Sequence, residues 1–146
     1  MRFKSLSILA GLALGGLNSL VFAGELENGI AAIEKGNIGV AVQILEPLAK
    51  SGDREAQLQL GVALEKDGEL QNFESAFTWY RLAFESDNLE AYSRLAGMYL
   101  SGRGVSQNKS EGIRLYKLAA EQGDAYSQGA LAFVYAAGNG VPKDDV

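Results

Sequence analysis

Residues 95–120 read LAGMYLSGRGVSQNKSEGIRLYKLAA, and both sides of this stretch repeat it. It contains a helical run, a loop with two glycines and a second helical run. Gly102, Gly104 and Val105 are followed 36 residues later by Gly138, Gly140 and Val141, and Tyr99 by Tyr135 at the same interval. Tyr80 precedes Tyr116 by 36 residues as well. Upstream the interval is 35: Leu60-Gly61 falls on Leu95-Ala96, Leu64 on Tyr99, and Glu55-Ala56 on Glu90-Ala91. A fixed period in this range marks a solenoid, whose units bury their apolar faces only against neighbours. The expected fold is therefore all-α, a stack of antiparallel helix pairs. Such a stack offers a binding surface rather than an enclosed active site.

Working outward, each segment of the chain shows helical spacing. Leu26, Ile30 and Ile33 share a face within Glu25–Lys35, and Gly36-Asn37 ends that segment with Asn37 as the next cap. Ile38–Ala49 follows, with Pro47 near its end, and Ser51-Gly52-Asp53 is a stop followed by a new cap. Arg54–Lys66 carries Ala56, Leu60, Gly61, Ala63 and Leu64, small residues suited to close helix approach. Asn72 caps Phe73–Glu85, on which Ala76, Phe77, Tyr80 and Phe84 face inward. Trp79, the single tryptophan, aligns with Ile44 and Leu115, which marks it as a packing residue rather than a ligand platform. The next pair is Leu89–Leu100 and Asn108–Gln122, and Gly123-Asp124 opens the last helix, Ala125–Ala137.

The first 23 residues read differently. Arg2 and Lys4 give a cationic start, Leu6 to Phe22 is uncharged and apolar, and Val21-Phe22-Ala23 ends in the small residues a signal peptidase accepts. The run contains Gly11, Gly15, Gly16 and Asn18 and has no basic stop after it, so a cleaved export signal over residues 1–23 is expected rather than a lasting membrane anchor. No cysteine follows it to take a lipid. With no cysteine after an export signal, the chain reads as bacterial, and periplasmic or secreted after cleavage near Ala23. Without Arg2 and Lys4, 11 basic residues face 18 acidic ones, a net charge of −7. That surface does not hold nucleic acid by neutralising phosphates.

Little in the composition supports chemistry. Histidine and cysteine are both absent, which removes the usual metal ligands, the commonest general base and the thiol nucleophile. The carboxylate groups Glu25/Glu27, Glu65/Asp67/Glu69 and Asp144/Asp145 lie at helix ends and loops, where solvated acids are common. Gly102-Arg103-Gly104 follows a helix and lacks the Lys-Ser/Thr of a phosphate loop. No catalytic, cofactor-binding or metal-binding residue is expected, and no cofactor.

The runs Leu95-Ala96-Gly97-Met98-Tyr99, Ser101-Gly102-Arg103-Gly104-Val105, Leu115-Tyr116-Lys117-Leu118-Ala119-Ala120 and Glu121-Gln122-Gly123-Asp124-Ala125 resemble the Sel-one-like repeat (SLR), a relative of the tetratricopeptide repeat (TPR). The resemblance covers residues 53–146 as units 53–87, 88–123 and a partial 124–146, after a degenerate opening pair at 24–52. It departs in the first unit, where Asp67 and Glu69 replace the loop glycines and Gly68 is left to turn the chain. It implies a right-handed superhelical α-solenoid acting as a non-catalytic protein–protein interaction module, here of the bacterial cell envelope. A cysteine-rich branch of the family is linked to β-lactam binding. This chain lacks those cysteines, so nothing carries over.

If the first helix of each pair lines the concave surface, as in the TPR relatives, the positions facing a partner protein or peptide are Leu58, Val62 and Glu65, then Ser93, Gly97 and Leu100, then Gly129, Phe133 and Ala136. That lining is small and apolar with one acid, which suits an extended or helical apolar segment. Two rival readings remain: a cell-wall-directed hydrolase or β-lactam-recognising protein, and a structural subunit of a polysaccharide-export or secretion assembly. Two further expectations can be set against the structure. Gly61, matched by Ala96, accepts alanine but not leucine. The last helix leaves one apolar side uncovered, because the sequence stops at Val146 where a partner helix would begin near Asp144; self-association or a longer natural chain would account for that.

Overall fold

The computed structural model of the chain describes residues 20–66 and 68–138. The helical spacing read above appears there as seven helices, with no strand among the described residues. They are α1 (20–34), α2 (Ile38–Lys50), α3 (Arg54–Glu65), α4 (Phe73–Glu85), α5 (Leu89–Ser101), α6 (Lys109–Glu121) and α7 (Ala125–Ala136). From α2 onward each helix packs on the next. Ala32 and Ile33 seat α1 in the same apolar cluster as Leu45, Leu48 and Leu60 of α2 and α3. The fold is an all-α solenoid of helix pairs.

Asx residues start most of these helices by accepting orphan amide hydrogens of the first turn. Asp53 accepts from Ala56 N at 2.8 Å, Asn72 from Ser75 N at 2.9 Å, Asn108 from Glu111 N at 3.0 Å and Asp124 from Ser127 N at 2.8 Å. Asn88 does the same for α5 through Glu90 N and Ala91 N, and its amide also reaches Glu55 on α3 at 3.3 Å. Asn37 is the exception: it stands at the start of α2 without a side-chain cap bond. Left-handed residues precede these caps, Gly36, Gly52 and Gly123 at φ 76°, 95° and 93°. At the equivalent place before Asn88 the chain uses Asp87, at φ 57°.

The loops inside the units close alike although their sequences differ. Asn108 N donates to Tyr99 O at 2.8 Å, and the equivalent Asn72 N donates to Leu64 O at 2.8 Å. The first full unit therefore keeps the turn closure despite losing its loop glycines, with Gly68 at φ 140°. Asp67 lies outside the described residues, as do Gly140, Val141, Asp144 and Asp145.

Two apolar clusters form one continuous core. The first gathers Ala32, Ile33, Leu45, Leu48, Ala56 and Leu60, and the second Leu58, Tyr80, Leu95, Met98, Leu115 and Tyr116. Val62 and Leu64 touch both. The aligned positions Leu45, Tyr80 and Tyr116 are all buried, so the period in sequence is a period in burial. Trp79 packs half-buried against the first cluster, between units. Phe77 meets Tyr99 edge-on at 5.4 Å and so joins α4 to α5.

Candidate interaction surface

The first helices of the three units, α3, α5 and α7, meet at a depression of about 720 Å³. Its floor is a small-residue face of α5, with Ser93, Gly97 and Ser101 four residues apart on one side of the helix. Glu65 closes it from the end of α3, and Asp124 and Tyr126 from the start of α7. The Gly97 position is roomy: an added Cβ would meet only the Tyr116 hydroxyl, at 3.5 Å.

Charge organises one wall. Arg94 donates to Glu90 Oε1 through Nη2 at 2.7 Å and Nε at 3.2 Å, and lies 3.8 Å from Glu65 Oε2. The Tyr80 hydroxyl reaches up from the core to donate to the same Glu65 oxygen at 2.5 Å. Tyr80 is fully buried, and burial together with its bond to Glu65 holds the phenol far above its ordinary range. Burial disfavours the charge on Arg94, but the bond to Glu90 and the nearby Tyr80 and Glu65 outweigh it, and the guanidinium stays charged. Arg103, also on this wall, lies over the Phe73 ring at 5.6 Å.

A second depression, of about 650 Å³, runs between α7 and the α5–α6 turn. It is mostly apolar, lined by Leu100, Tyr116, Ala130, Phe133 and Val134 with Lys109 at its edge. Phe133 is 73% exposed and Tyr126 69%. Tyr116 stays buried between the two depressions, and burial followed by the neighbouring Tyr126 pushes its phenol up.

The sequence-derived positions divide among these places. Glu65, Ser93 and Gly97 line the first depression, and Leu100, Gly129 and Phe133 the second. Val62 is half-buried between the two core clusters, and Ala136 is exposed but lines neither depression. Leu58 does not belong with them: at 1% exposure it sits in the core with Tyr80 and Leu95, and no guest on this surface reaches it. Nor is the lining apolar with a single acid, since Glu90, Arg94, Arg103 and Asp124 join Glu65. Their signal was present in the spacing, because Glu90, Ser93, Arg94, Gly97 and Ser101 fall on one α5 stripe.

No group of three or more acidic, histidine or cysteine residues among the described residues is placed to hold a metal ion. Also among the described residues, no helix is long and apolar enough to cross a membrane.

Serial helix pairs with an open, side-chain-lined face define an α-solenoid repeat protein. The repeat itself matches the Sel1 repeat profile over residues 54–88, 89–124 and 125–146, and the chain belongs to that family. Its structure resembles that of a Sel1 repeat protein from Oxalobacter formigenes, with 32% identity and a TM-score of 0.69 over 84% of this chain and 53% of that one. It also resembles a protective antigen present in uropathogenic Escherichia coli strains that displays an SLR fold, with 30% identity and a TM-score of 0.72 over 84% of this chain and 27% of that one. The chain thus spans about half the length of the first and about a quarter of the second. Among curated proteins none matches. Sel1 repeat proteins are generally protein–protein interaction modules, and the fold is typically a non-catalytic scaffold.

Proposed function

We propose that this protein is an adaptor of the bacterial cell envelope that holds a segment of another protein in the depression between α3, α5 and α7. The observation that carries this reading is that the first helices of all three units converge on one open, small-floored depression. Glu65, Glu90 and Arg94 are already paired with one another, so the guest offers apolar surface and hydrogen bonds rather than one strong charge to that wall. The exposed side of α7 supports a second contact, the self-association expected from the sequence. Purified protein immobilised on a resin and exposed to envelope extract tests the adaptor reading: it should retain a discrete protein, and retention of none would contradict it.

Export supports the envelope address. The cationic start, apolar run and Val-x-Ala ending read as a signal, and its last residues lie outside the buried core. Leu20, Val21 and Phe22 are 72%, 56% and 50% exposed, whereas burial begins beyond them, with Gly29 against Leu45. Helix α1 runs unbroken across Ala23 and Gly24, so the peptidase would act before this helix folds. Mass spectrometry of the exported protein should find Gly24 first. An intact chain retained in the membrane would overturn the envelope-soluble assignment.

A further inference from the structure

The caps of α5 and α7 occupy the same place in successive units, but one carries an amide and the other a carboxylate. Asn88 and Asp124 lie 36 residues apart and share backbone geometry, φ −78° and ψ 112° against φ −68° and ψ 106°. Each uses one side-chain oxygen to accept from the amide three residues on, Ala91 N at 3.3 Å and Ser127 N at 2.8 Å. In Asn88 the other side-chain atom is Nδ2, which donates back to Glu55 Oε2 at 3.3 Å. Glu55 Oε1 accepts from Gln59 Nε2 at 2.8 Å, so both oxygens of that carboxylate are engaged.

One unit later the same frame is left open. Glu90 takes the place of Glu55 and Arg94 that of Gln59. Arg94 donates to Glu90 Oε1, the oxygen equivalent to the one that Gln59 holds. By the same cap geometry, Asp124 Oδ1 stands where Asn88 has its amide nitrogen, and a carboxylate has no hydrogen to give to Glu90 Oε2. Neither of these two oxygens has a hydrogen-bond partner among the described residues. Both side chains line the depression between α3, α5 and α7. Of the other charges there, Arg94 lies against Glu65 and Glu90, and Arg103 over the Phe73 ring, so Asp124 is left without a counterion.

We propose that Glu90 Oε2 and Asp124 Oδ1 bind the ammonium of a lysine side chain on the guest. Facing carboxylate oxygens repel, and a cationic donor between them satisfies both. The seat is that of a single nitrogen, as Asn88 shows, and an ammonium is one nitrogen with three hydrogens, whereas a guanidinium is a planar fork suited to one carboxylate. The exposed ring of Tyr126 lines the same depression and offers a surface for the methylene stem. In the preceding interface the bond from Asn88 to Glu55 needs only α3 and the cap of α5, so the equivalent seat needs only α5 and the cap of α7. This rests on the adaptor reading and adds the charge that its guest brings to Asp124, outside the paired wall. The test uses purified chain and synthetic peptides without extract, so its failure and the failure of guest retention are separate results.

A blocked Ala-Lys-Ala peptide titrated into isotope-labelled protein should shift the amide resonances of Glu90 and Ser127 saturably. The same peptide with norleucine for lysine should bind at least about tenfold more weakly. Asp124→Asn should weaken the lysine peptide by a similar factor while keeping the cap and melting no lower, because its amide closes on Glu90 as Asn88 closes on Glu55. Asp53→Asn is the control: it removes the same charge from a cap outside the depression and should leave the affinity unchanged. Absence of saturable shifts, equal binding of the two peptides, or unaltered affinity or a lower midpoint in Asp124→Asn would overturn the proposal. So would an equal loss in Asp53→Asn, which reduces the effect to net charge, or tighter binding of an arginine peptide, which assigns the seat to a guanidinium.

Discussion

Replacing Gly61 by leucine should cost about 3 kcal/mol and lower the thermal midpoint by roughly 10 °C. A Cβ at position 61 would stand 2.5 Å from Cε1 and 2.7 Å from Cδ1 of Tyr80. That ring cannot easily give way: it is fully buried among Leu58, Ala76, Leu95 and Met98, and its hydroxyl is tied to Glu65. The same distances correct the expectation that alanine is tolerated here. Gly61→Ala should lose about 1 kcal/mol or more, because the clash exceeds the gain in helix propensity. Combining Gly61→Ala with Tyr80→Leu should cost less than the two single changes together, since each relieves the other's misfit. Thermal denaturation of the unaltered chain, the three single variants and the double variant checks this. Full additivity, or Gly61→Leu melting like the unaltered chain, would mean that α3 and α4 do not touch there.

The second large effect belongs to the glycine loop. Gly104 has φ 69°, a left-handed conformation, and an added Cβ would run into the backbone carbonyl of Phe73 at the start of α4. Gly104→Ala should therefore lose about 2–4 kcal/mol, the backbone strain and the collision together. Gly102, at φ 72°, separates the two contributions. Its Cβ would meet only Gln107, at 3.2 Å from that residue's Cβ and in ordinary contact at 3.6 Å with its backbone nitrogen, so Gly102→Ala should lose about 1–2 kcal/mol. Urea titrations of the two variants should rank them in that order. Equal losses would show that the loop does not rest on α4.

The contrast between these glycines shows how far the sequence can be read. The period of 35 and 36 residues gave the helix pairs, and Asx after a break gave the caps at Asp53 and Asn72 because capping is local chemistry. Long-range geometry was less legible. Spacing places Leu58 and Glu65 on one stripe of α3, but it does not say that α4 and α5 cover Leu58 and leave Glu65 open. Nor does it distinguish Gly61, which admits no Cβ, from Gly97, which does. The charged wall was missed because Arg94 reads as a solvated residue until Glu65, fifteen residues before Tyr80, is brought beside it.

The adaptor claim is tested most directly by filling the guest depression and leaving the fold alone. Gly97 is the place to do so, because its Cβ direction is open apart from ordinary contact with the Tyr116 hydroxyl. Envelope extract should be passed over the unaltered protein and over Gly97→Gln at matched loading, after their thermal midpoints have been shown to agree. The account predicts that the protein retained by the first is lost or strongly depleted on the second. Retention of the same protein in equal amount by both would contradict it.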